Sequence, residues 1–220
     1  MHQENQVEGR IAKLRSEIKE LETKFNHLIR PLPTPTSWAL ASEYFRQLKL
    51  YFSSPRTMHK IARQFLRDNM APDVIDGSLF GVDAQLENWR LLALYFTDVH
   101  VDLKGLKTPT PDTLIAATVT SLSITEKKLS LVFPHLNSDG VGGSEGGVWS
   151  PLAVRLLDRK IIVQGSALFR WDSTTGKVAS IHSQADMISP MLELLGSLED
   201  VSCVFSKARV TPDCGFTTID

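Results

Sequence analysis

Among the side chains of this 220-residue chain that could move protons, six are the pocket candidates: Tyr44, Tyr95, His100, Asp102, His182 and Asp186. Withdrawing a proton beside a carbonyl takes a carboxylate base, a tyrosine, and a carboxylic acid held neutral by apolar surroundings. A histidine pair can serve instead as the acid and base of a dehydration. His182 alternates with Ser180, Gln184 and Asp186, which gives one strand a polar face. That face reads equally as a pocket wall, a solvent face or a dimer face, so the six are pocket candidates and no residue is assigned a catalytic role. A closed apolar pocket with two converging carboxylates or histidines would mark an enzyme, whereas a pocket filled by aromatic side chains would speak against one.

Other motifs carry less. Gly142-Gly143-Ser144-Glu145-Gly146 satisfies G-x-S-x-G, but that nucleophile elbow needs an apolar strand before it and a helix after it. Asn137-Ser138-Asp139-Gly140 precedes it instead, in a glycine-rich stretch that reads as a loop. The stretch lacks the Gly-Lys-Ser/Thr ending of a phosphate-binding loop. Cys203 and Cys214 stand apart from any Cys-x-x-Cys pair near histidines, so two reduced thiols and no metal are expected. No cofactor is expected either.

The elements that would position the candidates follow from periodicity. Ser37 is placed to cap a helix in which Trp38, Ala41, Tyr44, Phe45, Leu48 and Phe52 recur at helical spacing. After Ser53-Ser54-Pro55 a second helix turns Met58, Ile61, Ala62, Phe65 and Leu66 inward, with Arg56, Lys60, Arg63 and Arg67 opposite. Such a basic stripe could meet phosphates, but a charged face opposite a core face is ordinarily just solvated. Asp73 to Gly81 reads as short extended structure, and Val82 to Phe96 as a third helix burying Leu86, Trp89, Ala93 and Phe96. Strands follow near 99–103, 113–125, 160–171 and 178–187, the last two joined by a turn at Asp172-Ser173-Thr174-Thr175-Gly176, and short helices close the chain at 190–195 and 198–205. Three helices followed by a meander predict an α+β fold, with the helices on one face of a curved antiparallel sheet.

Ahead of this part, Val7, Ile11, Leu14, Ile18, Leu21, Phe25 and Leu28 recur at alternating steps of four and three. This is a coiled-coil seam with Val7, Leu14, Leu21 and Leu28 at d and Ile11, Ile18 and Phe25 at a, a pattern that favours parallel pairs. An amphipathic helix folding back on its own domain is the other reading of the seam. In a parallel homodimer Arg10 would face Arg15 and Glu17 would face Glu22, so like charges oppose each other and a heterodimer is the expected preference. Alternate prolines in Pro31-Leu32-Pro33-Thr34-Pro35-Thr36 then stop the helix. The expected organisation is an arm at 1–30, a linker at 31–36 and an α+β domain at 37–220.

Charge is split along the chain. Residues 1–70 carry a net +5 and residues 71–220 a net −6, within a total of −1. No apolar run approaches the ~20 residues that span a bilayer, and the first residues lack the basic-then-apolar order of a signal peptide. An intracellular chain without a membrane partner is expected.

Two further groups of residues carry a family resemblance. Phe65-Leu66-Arg67-Asp68-Asn69-Met70-Ala71-Pro72-Asp73-Val74, then Gly81-Val82-Asp83-Ala84, Trp89, Tyr95-Phe96-Thr97-Asp98-Val99, and Gly176-Lys177-Val178 leading to Asp186, resemble in order and spacing the nuclear-transport-factor-two-like cone, a fold shared with ketosteroid isomerases. With the seam ahead of it, the chain also resembles the oomycete bZIP transcription factors. That likeness is carried by Trp38 to Phe45, by Thr125 to Leu129 with Val132 to Leu136, and by Ser189 to Val201. It implies a nuclear transcriptional regulator, dimerising through its zipper, with a non-catalytic cone for protein interaction or ligand sensing. A cone-fold isomerase or dehydratase and a pure interaction adaptor are the alternatives. Such factors read DNA with a basic helix just before the zipper, whereas no Arg/Lys cluster precedes Val7 here. DNA is therefore expected to be reached through a partner or through a basic region upstream of Met1.

Overall fold

A computed structural model describes residues 34–136 and 149–216, together with Arg10, Lys13, Leu14, Arg15 and Glu17 of the arm. Those five arm residues are helical and exposed, and Leu14 is 54% accessible. Val7, Ile11, Ile18, Leu21, Phe25, Leu28 and Glu22 lie outside the described residues, as does the 142–146 loop.

The first helix of the domain, α1, runs Thr34–Ser53. It begins three residues before the expected cap at Ser37, which lies within the helix and is buried. The reason is that Pro35 falls in the first turn, where proline costs no helical hydrogen bond and its fixed φ suits the helix. The inner face is Ala41, Tyr44, Phe45, Leu48 and Tyr51. Trp38, expected inside, is 41% exposed and its indole N–H donates to Thr108 Oγ1 at 2.8 Å.

Helix α2 (Pro55–Asn69) buries Ala62 and Leu66, while Ile61 faces outward. Its basic stripe is partly spent within the fold. Arg63 closes on Asp83 with two bonds of 2.8 and 3.0 Å, and Arg67 stands 3.7 Å from the same carboxylate. Strand β1 (Met70–Asp76) and the short β2 (Leu79–Phe80) form a tight hairpin turning at Gly77 with φ +58°. Helix α3 (Val82–Tyr95) buries Val82, Gln85, Leu86, Trp89 and Tyr95.

Four longer strands follow: β3 (Thr97–Thr110), β4 (Thr113–Ile124), β5 (Arg159–Trp171) and β6 (Val178–Asp186). The sheet order is β2-β1-β6-β5-β4-β3. Neighbours are antiparallel except β1 and β6, which run parallel, so the expected antiparallel sheet contains one parallel pairing. Register shifts interrupt β3 against β4 at three places and also break the β5–β6 and β1–β6 ladders. Irregularities of this kind bend a strand and raise its twist, rolling a sheet around the helices.

Between β4 and β5 lie α4 (Glu126–Val132), a 3₁₀ turn at Pro134–Leu136 and α5 (Pro151–Leu156); α6 (Ile188–Leu195) and α7 (Leu198–Phe205) follow β6. Two of these small helices carry their own side-chain N-caps. Ser150 accepts from the Ala153 amide and Ser197 from the Asp200 amide, while Gly196 ends α6 in a left-handed conformation. Arg155 donates to the Leu194 and Leu195 carbonyls at 3.0 and 2.6 Å, so its charge meets the negative end of α6. The core has two parts: α1–α3 over β3–β6, and α4–α7 with the far ends of β4 and β5.

Carboxylates pin several junctions. Arg46 holds Glu43, Arg63 holds Asp83, Arg90 holds Glu87 and Lys104 holds Asp102 below the usual carboxylate range. Hydroxyl groups do the same for Asp112 (Thr110), Asp172 (Thr174) and Asp186 (Ser189). A pKa lower in the folded than in the unfolded chain contributes stability present above the unfolded value and lost as pH falls through the folded one. The urea midpoint should therefore be level between about pH 7 and pH 5 and fall below about pH 4. A midpoint that rises on acidification to about pH 3 would contradict this linkage.

Candidate ligand pocket

The rolled sheet, with helices α1 and α3 laid across it, borders a cavity of about 520 Å³. Tyr44, Phe45, Leu48 and Trp89 supply its apolar inner wall, and Thr118, Ser166 and Ala167 of the central strands its floor. The mouth is polar: the Gly77–Ser78 turn, Glu87, Ser183, Gln184 and Asp213 are all exposed and all border the cavity.

The polar groups of Tyr44, Asp76 and Gln85 reach into this apolar setting. The Tyr44 hydroxyl oxygen accepts from Gln85 Nε2 at 2.9 Å and from Trp89 Nε1 at 3.4 Å. Burial, and then the negative charge of Asp76, drive the Tyr44 pKa far up, so the hydroxyl keeps its proton and remains a donor. Asp76 is only 8% exposed; one of its oxygens accepts from the Ser183 amide at 3.0 Å and the other from Ser183 Oγ at 3.1 Å. Gln85 is 3% exposed, and its Oε1 has no hydrogen-bond partner among the described residues. Its amide is committed to Tyr44 through nitrogen, which leaves the oxygen over.

Of the six expected candidates, the structure brings Tyr44 and Tyr95 to this cavity. The other four stand outside it. His100 Nε2 lies 3.0 Å from Asp102 on the outer part of β3, where Asp102 also takes Lys104 at 3.1 Å. His182 is exposed and meets Gln184 Nε2 at 3.0 Å. Asp186 accepts from the Ser189 amide and hydroxyl at 3.1 and 2.6 Å at the start of α6. Strand alternation identified these side chains as sharing faces but could not say which face meets the helices.

Asp76 and Gln85 were not among the candidates, although each carried a readable signal. Gln85 sits three residues after Val82 and four before Trp89, on the apolar stripe of α3. Asp76 is two residues beyond buried Val74 and so shares its side of β1.

The segment 211–216 forms one side of the mouth. It is fixed by the Met187 amide donating to the Pro212 carbonyl at 3.0 Å and by Phe216 against Tyr95, ring centres 5.4 Å apart. Cys214 borders the cavity, and burial, followed by Asp213 and Asp186, pushes its thiol up to about 12. Cys203 on α7 is exposed. With iodoacetamide at about pH 8, Cys203 should therefore be alkylated at least about tenfold faster than Cys214, since the thiolate is the nucleophile. Peptide mapping of a time course reads this, and equal rates would show that the segment does not shield the thiol.

Among the described residues no cluster of three or more His, Cys, Asp or Glu is placed to hold a metal ion, and no helix is long and apolar enough to cross a membrane. The helices, the β1–β2 hairpin and the strand order with β1 parallel to β6 define a nuclear-transport-factor-two-like cone. Within it, residues 38–95, spanning α1 to α3, match the family model described as the bZIP transcription factor 1 C-terminal domain. No curated protein matches the chain by sequence.

Solved structures with a similar course include a SnoaL-like polyketide cyclase from Agrobacterium tumefaciens, with 12% identity over 71% of this chain and 95% of that one at a TM-score of 0.47. TsrD from Streptomyces laurentii has 14% identity over 73% and 97%, at 0.45. An NTF2-like protein of unknown function from Exiguobacterium has 13% identity over 67% and 98%, at 0.42. The cone assignment rests on the strand order rather than on these scores.

Proposed function

We infer that this chain is a transcriptional regulator of the bZIP type, which dimerises through the seam from Val7 to Leu28 and carries a non-catalytic cone as its interaction or sensing domain. The observation that carries the reading is the match of residues 38–95 to a bZIP transcription factor C-terminal domain, placed directly after a heptad arm. Its place of action on this reading is the nucleus. An isomerase or dehydratase would need a second acid or a histidine in the buried part of the pocket, whereas Glu87 and Asp213 lie at its exposed mouth. Asp76 is the one carboxylate among the buried polar residues described, and its oxygens are engaged by Ser183.

The partner is a second zipper protein. It is chosen by acidic residues opposite Arg10 and Arg15 and basic residues opposite Glu17 and Glu22, because the homodimer opposes like charges at both places. DNA is reached through that partner or through a basic region outside these 220 residues. The test mixes synthetic arms and follows helicity by circular dichroism at low and high salt, then repeats the pairing with full chains in a gel shift. Helicity that rises with salt for the homodimer, and a DNA shift that requires a bZIP partner, would support the reading. A homodimer equally stable at both salts would remove the heterodimer preference, and sequence-specific DNA binding by this chain alone would overturn the delegated DNA contact.

A further inference from the structure

We propose that the cone pocket binds a lipophilic amine, with its protonated nitrogen at Asp76 and its apolar body against Tyr44, Phe45, Leu48 and Trp89. The argument begins with charge. The ionisable acids bordering the cavity are Asp76, Glu87 and Asp213, and the border contains no Lys, Arg or His. Glu87 is neutralised by Arg90 at 2.7 Å, whereas no described cation lies within ion-pair distance of Asp76. A carboxylate removed from water is ordinarily paired with a cation or satisfied by several donors. Asp76 has two donors, both from Ser183, and two carboxylate oxygens offer about four acceptor sites. Acceptor capacity therefore remains for an ammonium group.

Gln85 gives an independent sign that the pocket awaits a donor. It borders the cavity, is 3% exposed, and its Oε1 is unpartnered. A buried acceptor left this way is costly to keep from water, and a ligand N–H reaching it removes that cost. The walls suit the rest of such a molecule. Tyr44 and Trp89, 5.3 Å apart edge to face, present aromatic surface of the kind that attracts an organic cation as well as hydrocarbon. The volume falls within the range that encloses a drug-sized ligand. An anion would meet the carboxylates of Asp213 and Asp76 on entry. A neutral molecule carrying only acceptors would engage the Tyr44 hydroxyl proton but leave Asp76 and Gln85 unsatisfied.

Binding itself follows from the pocket alone; that binding informs transcription rests on the regulator reading above. The experiment therefore measures occupancy without DNA. Three probes with one body and different charge, 4-phenylbutylamine, 4-phenylbutanol and 4-phenylbutyrate, are titrated into the full chain by isothermal calorimetry and by protein-observed NMR. The expected result is saturable amine binding at least about tenfold tighter than the alcohol, one factor of ten being a modest gain for a charge-assisted bond, with no saturation by butyrate. Asp76→Asn should lose the amine preference while still binding the amine and the alcohol alike. Alcohol or butyrate binding as tight as the amine overturns the proposal, and so does absence of saturation by all three. The charge series on the unmodified chain decides the matter even if Asp76→Asn fails to fold. A negative result leaves the zipper and DNA experiments untouched, and a failure of those leaves the pocket result standing.

Discussion

Replacing Phe169 with alanine should destabilise the cone by about 3–5 kcal/mol, the usual cost of removing a buried phenylalanine from a packed core. Phe169 is 1% exposed on β5 and sits where the sheet meets the helices. Its ring stands edge to face with Tyr44 at 5.3 Å and with Phe45 at 6.1 Å, and tilts against Trp171 at 5.9 Å. The cost has two sources: the lost transfer free energy of the ring, and the cavity that remains because three rigid aromatic neighbours cannot all relax into it. For a domain of this size, about 2–4 °C of melting temperature accompanies each kcal/mol, so a fall of roughly 10 °C is expected. Urea unfolding should show a lower midpoint with an unchanged slope. A loss below about 1 kcal/mol would mean that the aromatic cluster is not the centre of the fold.

Gly165→Ala should be costly for a different reason. A Cβ at this position would lie 2.8 Å from the Gln184 carbonyl oxygen and 3.0 Å from Thr118 Oγ1. The first of these atoms is backbone and cannot rotate away. Gly165 pairs with Thr118 of β4 on one side and Ala185 of β6 on the other, so relief requires the β5–β6 ladder to shift. Overpacking of this kind costs about 1–3 kcal/mol. Ser166 and Ala167, the next two residues, border the cavity, and a ladder shift would move the strand that carries Ser183. The variant should thus lose stability in urea and also shift the NMR resonances of Asp76 and Ser183. A stability change within about 0.5 kcal/mol would show that the strands have room there.

The sequence disclosed the fold unevenly. Helix α3 and strands β4 to β6 could be read to within a residue or two because a single period runs through each: 3.6 in the stripe through Leu86 and Trp89, two in the strands. The turn at Asp172 was equally plain, since Asp, Thr and Gly occur together and Gly176 takes φ +68°. Helices α4 and α5 were not read. At seven and six residues they are too short for a period, and their helicity is secured by packing and, for α5, by the Ser150 cap. The parallel pairing of β1 with β6 left no local trace, because it joins residues about a hundred positions apart.

The site was legible in its aromatic half only. Tyr44 lies on the stripe of α1, so periodicity aimed it inward. Asp76 and Gln85 occupy core positions with polar side chains, and neither has a second acid or base next to it in the sequence that would mark it as chemistry. His100 and His182 lie on the right strands but outside the pocket, since alternation defines two faces of a strand without naming the one that the helices cover.

The parallel β1–β6 pairing also sets an order of events at the ribosome. The wall of the pocket that carries Asp76 is completed by Ser183, so α1, α2, β1 and α3 leave the exit tunnel about a hundred residues before the strand that closes over them. Until β6 is made, the stripe of Tyr44, Phe45, Leu48 and Trp89 has only part of its cover. A nascent chain in that condition exposes aromatic surface and an unpaired strand edge, the features that chaperones bind and that drive aggregation. Expression yield should therefore depend on synthesis reaching β6, and fragments ending before it are expected to be insoluble.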